Sequence, residues 1–421
     1  MDAFDIANMR ASLDLATLGP AADPNPRVGC VIATASGHVA GGGYHRGSGT
    51  PHAEVAALAD AAVNGHDVTG GTAYVTLEPC AHTGRTGPCS QALIDAGVRR
   101  VVVLRRDPGD ESSGGAEKLR TAGVTVDVLP DLLDPLDGSR HSGTTPDGAE
   151  TPTATATGIA PTAAPTPTAP TSRLDGAPEN VVGPGDREVL VAIAQAAADL
   201  VEPWEFATRN GRPFVTWKYA STLDGRSAAR DGSSRWITGE AARADVHVRR
   251  AAAGAVVAGT GTVLADDPAL TVRDETGQPV GRQPLRVIVG ESEVPPTAKV
   301  FAAVEQAAPA LHLRTRDVAT VLAELHERRI RHVWLEGGPT LAAAFVAAGA
   351  VDEIVAYLAP ALLGAGTAAV GDLGIDDMGD IARFALSSVE RVGDDVRIVL
   401  RPTPANPTDA PRTPHPERQD S

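Results

Sequence analysis

Short apolar runs alternate with longer stretches of helical spacing through the first 130 residues. This pattern predicts strands at 28–33, 73–77 and 101–104, and helices at 4–17, 53–62 and 90–96. Strands that alternate with helices bury the apolar side of each helix against a face of the sheet. We therefore expect residues 1–130 to form an α/β domain of three layers.

The same alternation returns later in the chain. The predicted strands are 213–218, 255–259, 285–289, 332–335 and 353–358, and the helical stretches between them include 238–251 and 318–328. No internal repeat is apparent. We therefore expect a second α/β domain at 187–401.

The segment between the two blocks differs from both in composition. Of the 30 residues at 142–171, 23 are Thr, Pro or Ala, and Ile159 is the only large aliphatic residue. Such a segment has too little apolar surface to offset the entropy lost on ordering. We predict a low-complexity linker at 131–186 and a similar Pro-rich, disordered tail at 402–421.

Charge and composition narrow the class of protein. The net charge of −16 would repel a nucleic-acid backbone, so we expect no nucleic-acid partner. No apolar run approaches the roughly 18 residues needed to span a bilayer. Residues 1–20 carry Asp2, Asp5 and Asp14 in place of a basic signal start. We therefore expect a cytoplasmic protein with no membrane partner.

His52, Cys80 and Cys89 form a candidate metal-binding set. One imidazole and two thiolates suit zinc, and three protein ligands leave the fourth position open for water. Zinc nucleobase deaminases carry H-x-E followed by P-C-x-x-C, with the glutamate as proton shuttle, a role that Glu54 would take here. A buried cysteine pair beside a surface histidine, or a structural zinc site, is the alternative. Cys30, inside an apolar run, is interpreted as a core residue.

The loop between the two cysteines is longer than in that signature, with eight residues in place of two. Together with N-P-R-V-G-C at 25–30, G-Y-H at 43–45, P-H-A-E at 51–54 and T-L-E-P-C at 76–80, it resembles the deaminase half of the bifunctional riboflavin-biosynthesis enzymes. The resemblance implies a cytidine-deaminase-like fold with zinc and a small-molecule substrate, a phosphoribosyl diaminopyrimidinone that loses its 2-amino group to water. It also implies substrate contacts from Asn25, His45, His82 and Arg85.

One segment departs from the family pattern. Asp107-Pro108 continues as G-D-E-S-S-G-G, where the family has a further Asn-Pro and a Gly-x-Gly. No substrate contact is assigned to this loop, whereas the zinc-binding residues are intact. The Thr/Pro/Ala-rich linker is also unusual, because the family joins its halves by a shorter and more structured connection.

The second block lacks the G-x-G-x-x-G fingerprint of a standard dinucleotide-binding fold. Instead, E-G-G-P-T-L at 336–341 follows a predicted strand and opens a helix, where free amides can bind phosphate; a tight turn is the alternative. With K-Y-A-S-T-L-D-G at 218–225, S-R-W-I-T at 234–238 and G-T-V-L-A-D-D-P at 261–268, it resembles the reductase half of the same family. The resemblance implies a dihydrofolate-reductase-like fold that uses NADPH to reduce a ribosyl group to ribityl.

The same resemblance assigns site residues in this block. Those expected to line the cofactor are Ala220, Trp236, Thr262, Asp266, Gly338, Pro339, Thr340, Leu341, Ala342, Ala343 and Ala344. Those expected to face the substrate are Ser234, Arg250, Leu270, Arg273 and Glu336. The two arginines suit a phosphate because guanidinium forms bidentate, charge-assisted hydrogen bonds.

The sequence therefore predicts a bifunctional hydrolase and oxidoreductase. A nucleic-acid base deaminase is one alternative, but it would need a basic face and would leave the second block unexplained. An interaction protein with one decayed site, whose Pro-rich segments bind partners, is another. The sequence leaves the oligomeric state open, a homo-oligomer included.

Overall fold

The computed structural model describes residues 1–82, 87–109, 113–133 and 184–403. These residues belong to two compact units, Met1–Arg209 and Asn210–Ser421. Within the described ranges, no helix is long and apolar enough to cross a membrane. Most of the predicted linker, most of the predicted tail and Arg85 lie outside the described residues.

A five-stranded sheet forms the middle layer of the first unit. Its strands are β1 (Gly29–Ala33), β2 (Val39–Tyr44), β3 (Thr72–Val75), β4 (Arg100–Val103) and β5 (Thr125–Val128). Their order is β2-β1-β3-β4-β5; β1 is antiparallel to both neighbours, and β3, β4 and β5 are parallel. The helices are α1 (Ala3–Thr17), α2 (Ala53–Val63), α3 (Cys89–Asp95), α4 (Gly115–Thr121), α5 (Leu129–Leu133) and α6 (Pro184–Asn210).

Alternate residues of these strands are buried against different helices. On one face, Ile32 and Val75 pack in a cluster with Ala57 of α2 and Leu93 of α3. On the other face, Tyr74, next to Val75 in β3, packs in a cluster that includes residues of α1 and α6. A strand buried on both sides reads as a continuous apolar run, which is why β1, β3 and β4 were predictable. The three-layer arrangement is confirmed.

Helix α6 belongs to the first unit, whereas the sequence pattern placed the start of the second domain at residue 187. Leu190, Ile193 and Ala197 of this helix are buried in the same cluster as Met9 of α1. Their spacing forms one apolar stripe, and the sheet face beneath α1 covers it. The periodicity identifies such a stripe but not the sheet against which it packs.

Strand β2 was not predicted, because V-A-G-G-G-Y does not resemble a strand. Gly41 and Gly43 lie where helix α2 crosses β2: an added Cβ would be 2.5 Å from the carbonyl oxygen of Ala57 at Gly41, and 2.4 Å from the amide nitrogen of Ala57 at Gly43. Only glycine permits this approach of two backbones. The glycines therefore place the start of α2 directly on the sheet.

An eight-stranded sheet organises the second unit. Its strands are β6 (Phe214–Thr222), β8 (Ala255–Gly259), β9 (Leu285–Val289), β10 (Leu311–Leu313), β11 (His332–Leu335), β12 (Glu353–Ala359), β14 (Phe384–Val392) and β15 (Asp395–Pro402), and a separate pair is formed by β7 (Arg226–Ala228) and β13 (Thr367–Ala368). The order is β10-β9-β8-β11-β6-β12-β15-β14, parallel except for β15 and β14. The helices are α7 (Glu240–Ala251), α8 (Thr260–Asp266), α9 (Val318–Glu327) and α10 (Pro339–Ala347).

Both faces of the parallel part of this sheet are covered. Val257 and Leu335 point into a cluster with Leu322 of α9 and Phe345 of α10, while Trp334, the residue before Leu335 in β11, joins a cluster on the opposite face. This explains the apolar runs that predicted these strands. The antiparallel pair β14 and β15 was missed, because the exposed side of β14 interrupts its apolar pattern.

Candidate active sites

Three different elements bring the predicted zinc ligands together. His52 immediately precedes α2, Cys80 follows β3, and Cys89 is the first residue of α3. Their ligand atoms lie within 4.8 Å of one another. His52 Nδ1 is 3.7 Å from Cys80 Sγ and 3.3 Å from Cys89 Sγ. One imidazole and two sulfurs at this spacing fit a zinc ion that keeps a fourth position for water.

The electrostatics of this set favour a bound cation. A hydrogen bond from the Cys89 side chain, aided by His52, lowers the pKa of Cys80 to about 4 although burial opposes it. The same hydrogen bond raises the pKa of Cys89. The interaction with Cys80 raises the pKa of His52. A proton shared among these three groups is what a metal ion replaces, so binding of zinc is coupled to proton release.

Glu54 lies in the first turn of α2, two residues from His52, and is 3% exposed. Burial raises the pKa of its carboxyl group. A raised pKa makes a carboxylate a better proton acceptor, which suits a general acid and base. The geometry therefore favours the proton-shuttle role predicted for Glu54.

A cavity of about 710 Å³, including space open to solvent, is lined by two of the three ligands, His52 and Cys80, and by Glu54. Its described lining residues are Asn25, Pro26, Val28, His45, His52, Ala53, Glu54, Leu77, Glu78, Cys80, His82, Asp107 and Trp204. Of the four predicted substrate contacts in this unit, Asn25, His45 and His82 are in this lining. The sequence interpretation missed Glu78, Asp107 and Trp204. Glu78 belongs to the T-L-E-P-C motif, and Asp107 begins the segment that departs from the family pattern. Nothing near Trp204 in the sequence indicated a site.

Asn25 and His45 hold each other at the rim of the cavity. His45 Nδ1 is 3.2 Å from the carbonyl oxygen of Pro51, to which it donates, so its Nε2 accepts from Asn25 Nδ2 at 3.1 Å. Burial lowers the pKa of His45, which favours this neutral form. The Pro51 contact ties the pair to the chain that leads into His52. Both side chains are therefore fixed relative to the ligand set.

The C-terminal end of the segment that departs from the family pattern contacts the stretch of chain that leads into Cys80. The backbone amide of Ala116 donates to Glu78 Oε1 at 2.9 Å. A Cβ on Gly115 would lie 1.6 Å from the carbonyl oxygen of Pro79, so this position admits only glycine. Residues 110–112 lie outside the described part of the chain. The end of the altered loop thus packs directly against the Glu78–Cys80 turn.

In the second unit, two of the predicted substrate residues, Arg250 and Glu336, meet at the carboxyl edge of the parallel sheet. Leu335 pairs with Trp217, which places Glu336 level with Lys218 on the next strand. Arg250 donates to Glu336 from Nε and from Nη2, both at 2.8 Å. Their side chains are 8% and 13% exposed. Ligands bind at this edge in open α/β sheets, because the loops after parallel strands meet there.

Cationic side chains surround Glu336 and influence the groups near it. Burial opposes ionisation of Glu336, but Arg250 and Lys218 outweigh it and lower its pKa. Burial, followed by Arg250 and Arg273, lowers the pKa of His247 to about 4. His247 is therefore neutral at physiological pH. The remaining cationic groups suit an anionic part of a ligand.

The start of α10 provides the features of a phosphate cradle. Gly338 precedes the helix and offers no side-chain cap, so the first amides face outward from the helix end. The amide of Gly338 donates to Thr262 Oγ1 at 3.0 Å. A Cβ on Gly338 would lie 3.0 Å from that oxygen, and one on Gly337 would lie 2.9 Å from Leu341 Cδ2. These glycines permit the close approach of Thr262 and Leu341 to the start of the helix. The uncapped amides of the first turn fit a phosphate of a dinucleotide cofactor.

The other predicted residues of this unit occupy varied environments. Trp236 is 71% exposed, and its ring centroid is 4.3 Å from the guanidinium carbon of Arg243. Leu270 is 4% exposed and lies in a core cluster, so only its backbone can meet a ligand. Ala342 and Ala343 are also buried. Asp266 and Arg273 are exposed, while Ala220 and Ser234 are half-buried.

These folds and sites define a deaminase domain, in which a histidine and two cysteines lie close enough together to bind one metal ion, joined to a reductase domain. Residues 3–105 match the cytidine and deoxycytidylate deaminase zinc-binding region, and residues 213–398 match the RibD C-terminal domain. The riboflavin biosynthesis protein RibD of Mycobacterium tuberculosis is 40% identical over 377 residues, which cover 90% of this chain and 91% of that protein. The chain belongs to the RibD family of riboflavin biosynthesis proteins.

Further relatives and solved structures cover almost the whole chain. RibD of Escherichia coli is 33% identical over 90% of this chain and 93% of its own length. A structure of Acinetobacter baumannii RibD matches with a TM-score of 0.73 at 33% identity, covering 95% of this chain and 99% of that one. The protein is therefore a bifunctional enzyme with a zinc-binding, cytidine-deaminase-like domain and an NADPH-binding, dihydrofolate-reductase-like domain, as predicted.

Proposed function

We propose that the first unit hydrolyses the 2-amino group from 2,5-diamino-6-(5-phosphoribosylamino)pyrimidin-4(3H)-one. A Thermotoga maritima structure described as a diaminohydroxyphosphoribosylaminopyrimidine deaminase and 5-amino-6-(5-phosphoribosylamino)uracil reductase matches with a TM-score of 0.71 at 29% identity, over 95% of this chain and 99% of that one. The observation that carries the proposal is the buried Glu54 beside the His52, Cys80 and Cys89 set, with Glu54, His52 and Cys80 lining one cavity.

The residues of the first unit divide the chemistry among them. His52, Cys80 and Cys89 would hold a zinc ion, which would supply an activated water. Glu54 takes a proton from that water as its oxygen bonds to the ring carbon, and returns it to the amino group, which leaves as ammonia. Asn25 and His45, fixed as a pair, are proposed to contact the substrate together with His82. Arg85 is proposed as a further contact from the loop between the cysteines.

In the second unit, we propose reduction of the opened ribosyl group to ribityl by hydride from NADPH. The proposed cofactor contacts are Ala220, Trp236, Thr262, Asp266 and the segment 338–344, of which the buried members contribute backbone only. Arg250, Arg273, Glu336, Ser234 and the backbone of Leu270 are proposed to bind the substrate. The cationic groups around Glu336 support the binding of its phosphate. The protein supplies orientation and charge, while the cofactor supplies the hydride.

Location and partners are proposed on chemical grounds. The three cysteines are free thiols, and two of them are needed as zinc ligands, which favours a reducing compartment such as the cytoplasm. The net charge of −16 favours a small-molecule substrate over nucleic acid. We also propose that membranes have no part in the reaction. Association into a homo-oligomer is compatible with the exposed apolar residues of β14.

Two separate signals test the assignment. Purified protein with zinc and the diaminopyrimidinone ribosyl phosphate should release ammonia and oxidise NADPH. Glu54→Gln should do neither, because glutamine cannot carry the proton, yet it should oxidise NADPH when the deaminated intermediate is supplied. Zinc content of the variant is the control for an intact ligand set. If the wild-type protein reduces the supplied intermediate but never releases ammonia, the deaminase assignment is wrong; if neither signal appears, both assignments are wrong.

A further inference from the structure

Helix α6 reaches the deaminase cavity from beyond the long linker. Trp204, near the end of this helix, lines the same cavity as Glu54 and Cys80. Ninety-six residues separate Trp204 from Asp107, which is the described lining residue nearest to Trp204 in the sequence. The cavity is therefore completed by a part of the chain that follows the linker.

The end of α6 is fixed to the edge of the site by charge. Arg105 donates to the two carboxylate oxygens of Glu205, at 2.6 and 2.9 Å, and the Glu205 side chain is 6% exposed. The carbonyl oxygen of Arg105 accepts from the amide of Glu78 at 2.9 Å. Glu78 leads directly into Cys80. Trp204, the neighbour of Glu205, is thus held at a defined distance from the ligand set by a short chain of contacts.

The chemistry of the lining indicates what Trp204 can contribute. Among the described lining residues, Trp204 is the only one with an indole or benzene ring; the others supply imidazoles, small apolar groups, carboxyl groups, an amide and a thiol. Trp204 is half-buried, so part of its side chain remains available to a ligand. A flat heterocycle gains about 1–3 kcal/mol from stacking on an aromatic side chain.

We propose that Trp204 is a substrate-binding residue of the deaminase site, against whose ring the pyrimidine stacks. This proposal rests on the deaminase function proposed above. It means that the first active site is built from both sides of the linker. Deamination then depends on the contacts that hold α6 against the rest of the first unit, which are its apolar stripe and Glu205. A long linker precedes α6 in the sequence, so these contacts must keep Trp204 in place.

Substitutions in the full-length protein test this role. Trp204→Ala should raise the KM for ammonia release about 5- to 150-fold, the range that corresponds to the stacking energy. Trp204→Phe keeps an aromatic face and should stay within a few-fold of wild type. Val191→Ala, on the exposed side of the same helix, is the matched control and should change nothing. Reduction of the supplied deaminated intermediate should be the same in all three variants.

A direct binding signal separates stacking from a structural role. In Glu54→Gln, the unreacted diaminopyrimidinone substrate should quench tryptophan fluorescence, and the part of the quenching due to Trp204 should be absent from Glu54→Gln/Trp204→Phe. An unchanged KM in Trp204→Ala overturns the proposal, as does a loss of activity that is matched by loss of zinc. Equal losses in Trp204→Phe and Trp204→Ala would place the contact at the indole N–H and overturn stacking. Absence of ammonia release by the wild-type protein would instead reject the proposed function.

Discussion

Replacement of Gly43 by alanine tests how the fold sets the geometry of the deaminase site. The added Cβ would lie 2.4 Å from the amide nitrogen of Ala57 and 2.6 Å from the carbonyl oxygen of Ala53, both backbone atoms of α2. Ordinary van der Waals contact begins at 3.4 Å. Helix α2 must therefore move away from β2 by about 1 Å, because no flexible side chain can absorb the clash.

This movement acts at the reacting groups. Ala53 lies between His52 and Glu54, so displacement of the first turn of α2 moves a zinc ligand and the proton shuttle together. A misplacement of about 1 Å can cost about 100-fold in rate. We expect Gly43→Ala to lower kcat/KM for ammonia release by about 10- to 100-fold, and to lower the free energy of unfolding by about 1–3 kcal/mol.

Gly42→Ala provides the matched control one residue away. Its Cβ would meet only Leu15 Cδ1 within 4 Å, at 3.0 Å, which is the movable end of a side chain on the opposite face of the sheet. We expect ammonia release close to wild type for this variant. Both variants should reduce the supplied deaminated intermediate normally. If Gly43→Ala released ammonia as fast as Gly42→Ala, the close approach of α2 would not be what positions the site.

Three further predictions concern the second unit. Arg250→Met leaves Glu336 buried without its partner and should lower the free energy of unfolding by about 3–5 kcal/mol in urea titrations, whereas Arg249→Met, at a more exposed pair, should cost less than about 1 kcal/mol; equal losses would contradict this. Gly338→Ala should raise the KM for NADPH several-fold without affecting ammonia release. An unchanged KM would show that the cofactor does not bind at the start of α10. His247 binds a proton near pH 6.5 when unfolded but near pH 4 when folded, so the free energy of unfolding should fall as the pH drops through that window. His247→Gln should lessen this fall. An equal pH dependence of stability in wild type and variant would contradict the lowered pKa of His247.

The features that the sequence predicted are local ones. His52 and Glu54 stand two residues apart at a helix start, and Cys80 follows an apolar strand, so short motifs carry both the chemistry and its placement. The two faces of the buried strands could likewise be read from continuous apolar runs. Identification of the reductase residues depended on several motifs in a fixed order, because a lone Gly-Gly before a helix has little specificity.

Long-range contacts could not be predicted in this way. The ion pair of Arg250 with Glu336 joins residues 86 positions apart, and the apolar periodicity of a helix does not state which sheet it will cover. Trp204 was missed for the same reason, since a linker separates it from the motifs around it in space. Strand β2 was missed because its glycines, which lower strand propensity, are required by the approach of α2.

Two glutamates, Glu54 and Glu336, show how one residue type serves opposite ends in this protein. At Glu54, burial prevails over the opposing influence of His52 and raises the pKa of the carboxyl group. Burial opposes ionisation of Glu336 as well, but Arg250 and Lys218 overcome the effect of burial and keep it ionised. The first carboxyl group is therefore suited to moving a proton, and the second to holding a fixed negative charge that orients Arg250. The difference lies in the neighbouring side chains and not in the depth of burial.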